Sequence, residues 1–420
     1  MKIVIINKSD STGGAAVVSR RLMEALRAQG VDARMLVCEK LTDSPYVHLA
    51  ASPSRIKLPF LSERLKIFLA NGLDRANLFK VDTASDGLPL HRHKLVREAD
   101  AIFLNWVNQG MLSLKGLRDL LRLGKPVIWT MHDMWCFTGI CHHAGGCKRW
   151  QTDCGLCKFL GKGARPDDLS FGVRNRKDKV YRAGGNLQFV AVSNWLARLA
   201  RESSLLADAR LSVIPNAFPV PDDSRLVRKE RSGADAGKFR VVMGAARLDD
   251  PVKGFPILLD ATKVLKEKYP EEAARIELVT FGNFKNPASA EGIAVTHKHL
   301  GVISSEDKVR EVYLGCDAVV STSLYETLPG TLVEGQVYGC MPVSFGRGGQ
   351  SDIVDHKNTG YIAEWSDDIK VAASNIAEGI VWAMRQPADE MRRRMLASAR
   401  SRFAAKVVAE RYLKMLNVEC

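Results

Sequence analysis

The chain is most informative first in what it lacks. None of its apolar runs approaches the roughly 18 residues that a membrane-spanning helix needs, so no transmembrane segment is expected. The opening Met1-Lys-Ile-Val-Ile-Ile-Asn7 is too short for a signal-peptide core and reads as a first strand. No internal repeat or low-complexity segment stands out, which excludes repeat architectures. The glycines after the first strand, Gly13-Gly14, lack the third glycine of a dinucleotide fingerprint. The acid that should end strand two is represented only by Cys38-Glu39, so an NAD-dependent dehydrogenase is disfavoured. Aromatics make up 7% of the residues, the bases are scattered, and no aromatic-lined basic module appears. A nucleic-acid binder is therefore not expected.

What is present is 420 residues, 46% of them hydrophobic, more than one core usually holds. Two domains are the default. A net charge of +14 asks for an anionic partner: a nucleotide-sugar, an acidic lipid surface or nucleic acid. A cytoplasmic setting is expected, with the nine cysteines reduced or metal-bound. Strand-like runs alternate with helical ones, arguing for parallel sheets covered by helices. In the first half the strands fall at Ile3–Ile6, Ala33–Cys38, Ala101–Asn105, Val127–Met131, Phe189–Ser193 and Ser212–Ile214. In the second they fall near Arg240–Met243, Glu277–Phe281, Ala318–Ser321 and Pro342–Phe345. The stretch 218–238, rich in Pro, Asp, Ser, Gly and Arg, reads as a linker. This gives Rossmann-like domains at 1–217 and 239–395. Substrate is expected in the cleft between them.

Glu326 and Glu334 bracket Tyr325-Glu-Thr-Leu-Pro-Gly-Thr-Leu-Val-Glu334. The first follows a strand-like run, and the second lies about one turn inside a helix opened by Pro329-Gly330-Thr331. Both carboxylates can face a ligand at the carboxyl end of a parallel strand, and the amides from Pro329 to Leu332 form a helix start that attracts phosphate. A capped helix bearing two solvated acids is the plainer alternative. Arg247 and Lys253 occupy a similar strand-to-loop position in Arg247-Leu-Asp-Asp-Pro-Val-Lys253-Gly254. They could neutralise a diphosphate or be ordinary surface bases.

Together these motifs, with Gly339-Cys-Met-Pro342 and Gly348-Gly349, resemble glycosyltransferase family 4. Gly13-Gly14, His132-Asp133-Met-Trp135, Val192-Ser193-Asn194-Trp195 and Ile214-Pro215-Asn216 extend the resemblance over most of the chain. It is nearest to members that build bacterial exopolysaccharides and colanic-acid-type polymers. The resemblance implies an α/β GT-B fold and a retaining, front-face transfer from a UDP- or GDP-linked sugar to a glycan or lipid-linked acceptor. It also implies a C-terminal helix, 396–420, returning to the first domain. Glu326 would bind hydroxyls of the transferred sugar and Glu334 the ribose. Arg247, Lys253 and the helix start at Gly330–Thr331 would hold the leaving diphosphate. His132 would orient the sugar, and Gly14 would line the donor and acceptor cleft. No Asp-x-Asp triplet is present, so no catalytic metal is expected. A nucleotide-sugar epimerase of the same fold is the rival reading.

Two further stretches stand apart. Cys141, Cys147, Cys154 and Cys157 have a spacing compatible with a closed structural zinc site, or with plain reduced thiols. The segment Arg55–Leu69 mixes bases with Leu and Phe and could lie in a membrane interface, Phe60 or Phe68 inserting, or pack on the sheet. The helical stretch Met391–Leu416 carries an expected buried stripe of Leu396, Ala399, Phe403 and Val407.

Overall fold

The structure, a computed structural model, describes residues 1–221, 226 and 232–417. The chain divides into two compact units, Met1–Ala217 with Val408–Cys420, and Phe218–Val407. In the first, seven strands form a parallel sheet: β1 (Lys2–Ser9), β2 (Asp32–Glu39), β3 (Val47–Leu49), β4 (Ala101–Leu104), β5 (Val127–Met131), β6 (Leu187–Ala191) and β7 (Leu211–Val213). Their spatial order is β3-β2-β1-β4-β5-β6-β7. The second unit repeats the plan with β8 (Phe239–Arg247), β9 (Ile276–Asn283), β10 (Thr296–His299), β11 (Ala318–Ser321), β12 (Met341–Phe345) and β13 (Tyr361–Ala363). These run β10-β9-β8-β11-β12-β13, again all parallel.

Parallel neighbours need crossovers, and helices supply them between the central strands, while loops or short turns join β2 to β3, β9 to β10 and β12 to β13. Strands β4, β5, β11 and β12 are buried along their whole length, as sheets covered on both faces require. In each sheet the winding reverses between two central strands, β1 and β4 in one, β8 and β11 in the other. The carboxyl ends of such strands are where doubly wound sheets bind ligands.

The expected strands fall within a few residues of those observed, while β3, β10 and β13, short and at the sheet edges, had no expected counterpart. Of the expected linker, 222–225 and 227–231 lie outside the described residues. The C-terminal boundary differs from expectation, because 396 falls inside an unbroken helix, Ala388–Phe403, that belongs to the second unit. Its buried stripe is Met391, Met395, Ala399 and Phe403, one residue out of step with Leu396. Ala404 then leaves helical geometry and bridges Phe218, and a separate helix, Ala405–Met415, follows. Tyr412 of that helix packs on Phe103 of β4 at 5.5 Å between ring centroids, and its hydroxyl lies 2.9 Å from Thr130 Oγ1.

Candidate active site

In the second unit, Arg247 ends β8 and Glu326 lies in the loop after β11, the two strands flanking the winding reversal. The loops are stitched together. Leu324 N donates to Val252 O (2.8 Å), and Thr322 Oγ1 donates to Lys253 O (3.0 Å). Gly254 sits at φ +65°, and a Cβ there would come 2.2 Å from Thr322 O. Only glycine meets both conditions. Gly348 is also needed, since its Cβ would stand 2.2 Å from Glu326 O, whose carbonyl accepts from Gly349 N at 2.7 Å.

Lys253 Nζ reaches Glu326 Oε1 at 2.5 Å, both side chains being partly exposed. Arg247 is paired through NH2 with Asp250 Oδ2 at 2.9 Å and lies 3.6 Å from Asp249 Oδ1. Asp250 also caps the short turn Pro251–Lys253 through Val252 N. Each cation therefore has a carboxylate partner that an incoming diphosphate would have to displace.

Helix Gly330–Val337 begins after Pro329 with no side-chain cap, and Gly335 lets it lie against Val319 of β11. Gly330 and Thr331 are half-buried at its start, and Glu334 is half-buried one turn in. Leu332 does not fit the expected donor contact. Its side chain is fully buried, and its amide donates to Pro329 O within the first turn.

In the first unit, Gly14 opens the helix Gly14–Ala28 with Gly13 at φ +86°, and open space surrounds both. His132 directly follows β5, and its Nε2 faces Asn105 Oδ1 at 2.8 Å. Burial drives its pKa down to about 4 against the pull of Asp133, so the ring is neutral. Its neighbour Asp133 accepts from Trp106 Nε1 (2.9 Å), Trp135 N (2.8 Å) and His142 (2.7 Å). Burial would raise Asp133, but the His142 charge overrides it and holds the carboxyl at about 2. Ser193 caps the helix Asn194–Glu202 through Leu196 N, a structural role.

The sequence did not mark Asn105, Trp106, Asp82 or Asp250 as site residues. The one visible signal was that Asn105 ends a predicted strand and Asp250 lies inside a quoted motif.

The four cysteines gather around one cavity with Trp150 and Phe159. Among the described residues, however, no group of three or more Cys, His, Asp or Glu side chains is placed to hold a metal ion. Cys154 Sγ instead accepts from Gly139 N at 3.2 Å, and burial pushes Cys141 up to about 12 and Cys157 to about 11.

Two family models match, "Glycosyltransferase Family 4" over residues 12–220 and "Glycosyl transferases group 1" over 228–402. The chain belongs to glycosyltransferase family 4. The transferase is 26% identical over 350 residues to an Escherichia coli (strain K12) protein named as a colanic acid biosynthesis glycosyl transferase, WcaC, with 80% of each chain covered. Among solved structures it is similar to Anabaena HepE in complex with UDP and glucose, at TM-score 0.60 and 15% identity over 99% of each chain. It is also similar to the pneumococcal O-GlcNAc transferase GtfA in complex with UDP and GlcNAc, at TM-score 0.63 and 11% identity, covering 99% of this chain and 98% of the other. The transferase thus has the α/β GT-B fold of two parallel-sheet units.

Proposed function

We propose that this transferase moves a hexosyl group from a nucleotide-diphosphate sugar to a hydroxyl of a glycan or lipid-linked acceptor, with retention, in bacterial polysaccharide assembly. The observation that carries the donor assignment is the stitched pair of loops in the second unit. They carry Arg247, Lys253 and Glu326, and the loop with Glu326 runs into the helix start at Gly330–Thr331. Two cations and a helix N-terminus suit a diphosphate that gains charge as it leaves. Glu326 takes hydroxyls of the transferred sugar, Glu334 takes the ribose, and His132 orients the sugar. With that much positive charge supplied by the protein, we assign no catalytic metal. The leaving phosphate accepts the acceptor's proton on the face it vacates. UDP-sugars come first among donors, since HepE and GtfA were solved with UDP, and the WcaC likeness favours a polysaccharide acceptor.

Purified protein incubated with radiolabelled UDP- and GDP-sugars tests the reading. Hydrolysis of one donor that persists in chelator, and transfer to an added glycan with an unchanged anomeric configuration, are expected. Stereochemical conversion of the donor without an acceptor would favour the epimerase instead, and inertness toward every nucleotide-sugar would defeat both.

A membrane surface as the place of the acceptor is the finer part of the proposal. No helix among the described residues is long and apolar enough to cross a membrane. Helix Pro53–Ala70 buries Glu63, Arg64 and Ile67 and leaves Leu58 (69%), Leu61 (59%), Leu65 (57%) and Leu69 (60%) exposed on one stripe. Leu73 and Phe79, beyond the helix, are exposed too, as are the bases Arg55, Lys57 and Lys80. A basic-rimmed leucine stripe suits an anionic lipid surface. Phe60 and Phe68 are not the inserting groups, being half-buried; Phe60 packs under Lys8 at 5.4 Å.

A further inference from the structure

His142 is held between two carboxylates. Its Nδ1 lies 2.7 Å from Asp133 Oδ2 and its Nε2 lies 2.6 Å from Asp82 Oδ2. Ionised carboxylates only accept hydrogen bonds, so both ring nitrogens must donate, and the ring is an imidazolium. Burial opposes the charge, but Asp133 and Asp82 together hold the pKa up at about 10.

The line of charge continues inward. Asp82 Oδ1 takes the guanidinium of Arg64, which also lies 3.3 Å from Glu63 Oε2. Glu63 in turn accepts from the amides of Thr83 (2.9 Å), Ala84 (2.6 Å) and Gly110 (2.9 Å). The sequence Glu63, Arg64, Asp82, His142, Asp133 alternates in sign through a buried region where an unpaired charge would be costly. Lys177, buried over the Trp135 ring, His143, His132 and Cys136 also act on Asp133.

This chain of charges ends on Asp133, the chain neighbour of the candidate sugar-orienting histidine. The ends of β4 and β5 are joined by two adjacent rungs, Asn105 Oδ1 to His132 Nε2 and Trp106 Nε1 to Asp133 Oδ2. His142 bonds the same Asp133 oxygen that closes the second rung. It also accepts Met134 N on its backbone carbonyl at 2.9 Å, closing the loop behind His132.

We infer that His142, hydrogen-bonded between Asp82 and Asp133, is the positioning residue that sets the orientation of His132. This rests on the sugar-orienting role of His132 proposed above. A ring placed this way does no proton transfer; it fixes the neutral ring next to it. Misplacing a substrate-contacting group by about 1 Å costs on the order of 100-fold in rate.

The test uses the full chain labelled with nitrogen-15 at histidine. At about pH 8.5, where ordinary histidines are neutral, one histidine should show both ring nitrogens protonated, and His142→Asn should remove that signal. The same variant should shift the ring resonances of His132 and lower kcat for UDP-glucose hydrolysis by on the order of 100-fold, with KM little changed. Asp82→Asn, which leaves one carboxylate clamp, should give a smaller shift and a smaller loss, and it serves if His142→Asn does not fold. The inference fails if no imidazolium is present at that pH. It also fails if His142→Asn lowers the melting temperature while leaving the His132 resonances and kcat in place. The nitrogen spectra stand without turnover, so inertness toward UDP-glucose would count against the donor assignment and not against the clamp.

Discussion

Lys253 Nζ lies 2.5 Å from Glu326 Oε1, so the candidate phosphate-binding base and the candidate sugar-binding acid are one ion pair. Partly exposed pairs of this kind contribute at most about 1 kcal/mol to folding. Lys253→Ala, Glu326→Ala and Arg247→Ala should therefore melt within a few degrees of the wild type, by roughly 2–4 °C per kcal/mol. Transfer should fall by on the order of 100-fold or more in each. Near-normal turnover in a folded variant would remove that residue from the donor site. Glu334→Ala should chiefly weaken nucleotide binding, read as a raised UDP dissociation constant.

Asp250 competes with the donor for Arg247, at 2.9 Å. Asp250→Asn keeps a side-chain oxygen for Val252 N while removing the competing charge. Donor affinity should rise, by a few fold if the pair is worth the usual surface value of about 0.5 kcal/mol or slightly more. Titration calorimetry with UDP decides it. Weaker binding would mean that Asp250 orients Arg247 rather than occupying it.

The buried clamp makes stability depend on pH in two windows. His142 has a folded pKa raised to about 10 from an ordinary 6.5, so its contribution is whole below 6.5 and drains away as pH rises toward 10. Asp133 is depressed to about 2 from 3.8, so its contribution is whole above 3.8 and is lost as pH falls toward 2. Urea melts of the wild type and His142→Asn at about pH 6, 8 and 9.5 should show a gap that narrows upward, by no more than about 1.4 kcal/mol per unit. A gap that is flat across this range contradicts the charged ring.

The leucine stripe predicts salt-weakened vesicle binding. Leu61→Asp with Leu65→Asp changes exposed positions only, so folding should be unaffected. Sedimentation with vesicles containing anionic lipid should carry down the wild type at low salt, less of it at high salt, and little of the variant. Equal binding of wild type and variant would place the contact elsewhere on the surface.

The two sheets were legible because their central strands are continuous apolar runs, a signal that burial on both faces imposes. Of the short edge strands, β7 was expected while β3, β10 and β13 were not, since three or four residues at an edge carry little pattern. The Arg247–Lys253 and Glu326–Glu334 motifs were readable as strand-to-loop transitions. The clamp on His142 was not, because Glu63, Asp82 and Asp133 lie up to 70 residues apart in sequence and meet only through the fold. The cysteine spacing was legible too, but spacing does not say whether thiols converge on a point or merely share a cavity.

Gly254 and Gly348 hold backbone against backbone, the first on Thr322 O and the second on Glu326 O. The three loops they join thus behave as a single casting rather than as independent fingers. An attempt to change donor preference by exchanging one loop with a relative's would drive a carbonyl into its neighbour. Residues 247–254, 322–331 and 346–350 would have to be transplanted together. Retuning by point substitution is confined to side chains that face outward from that block.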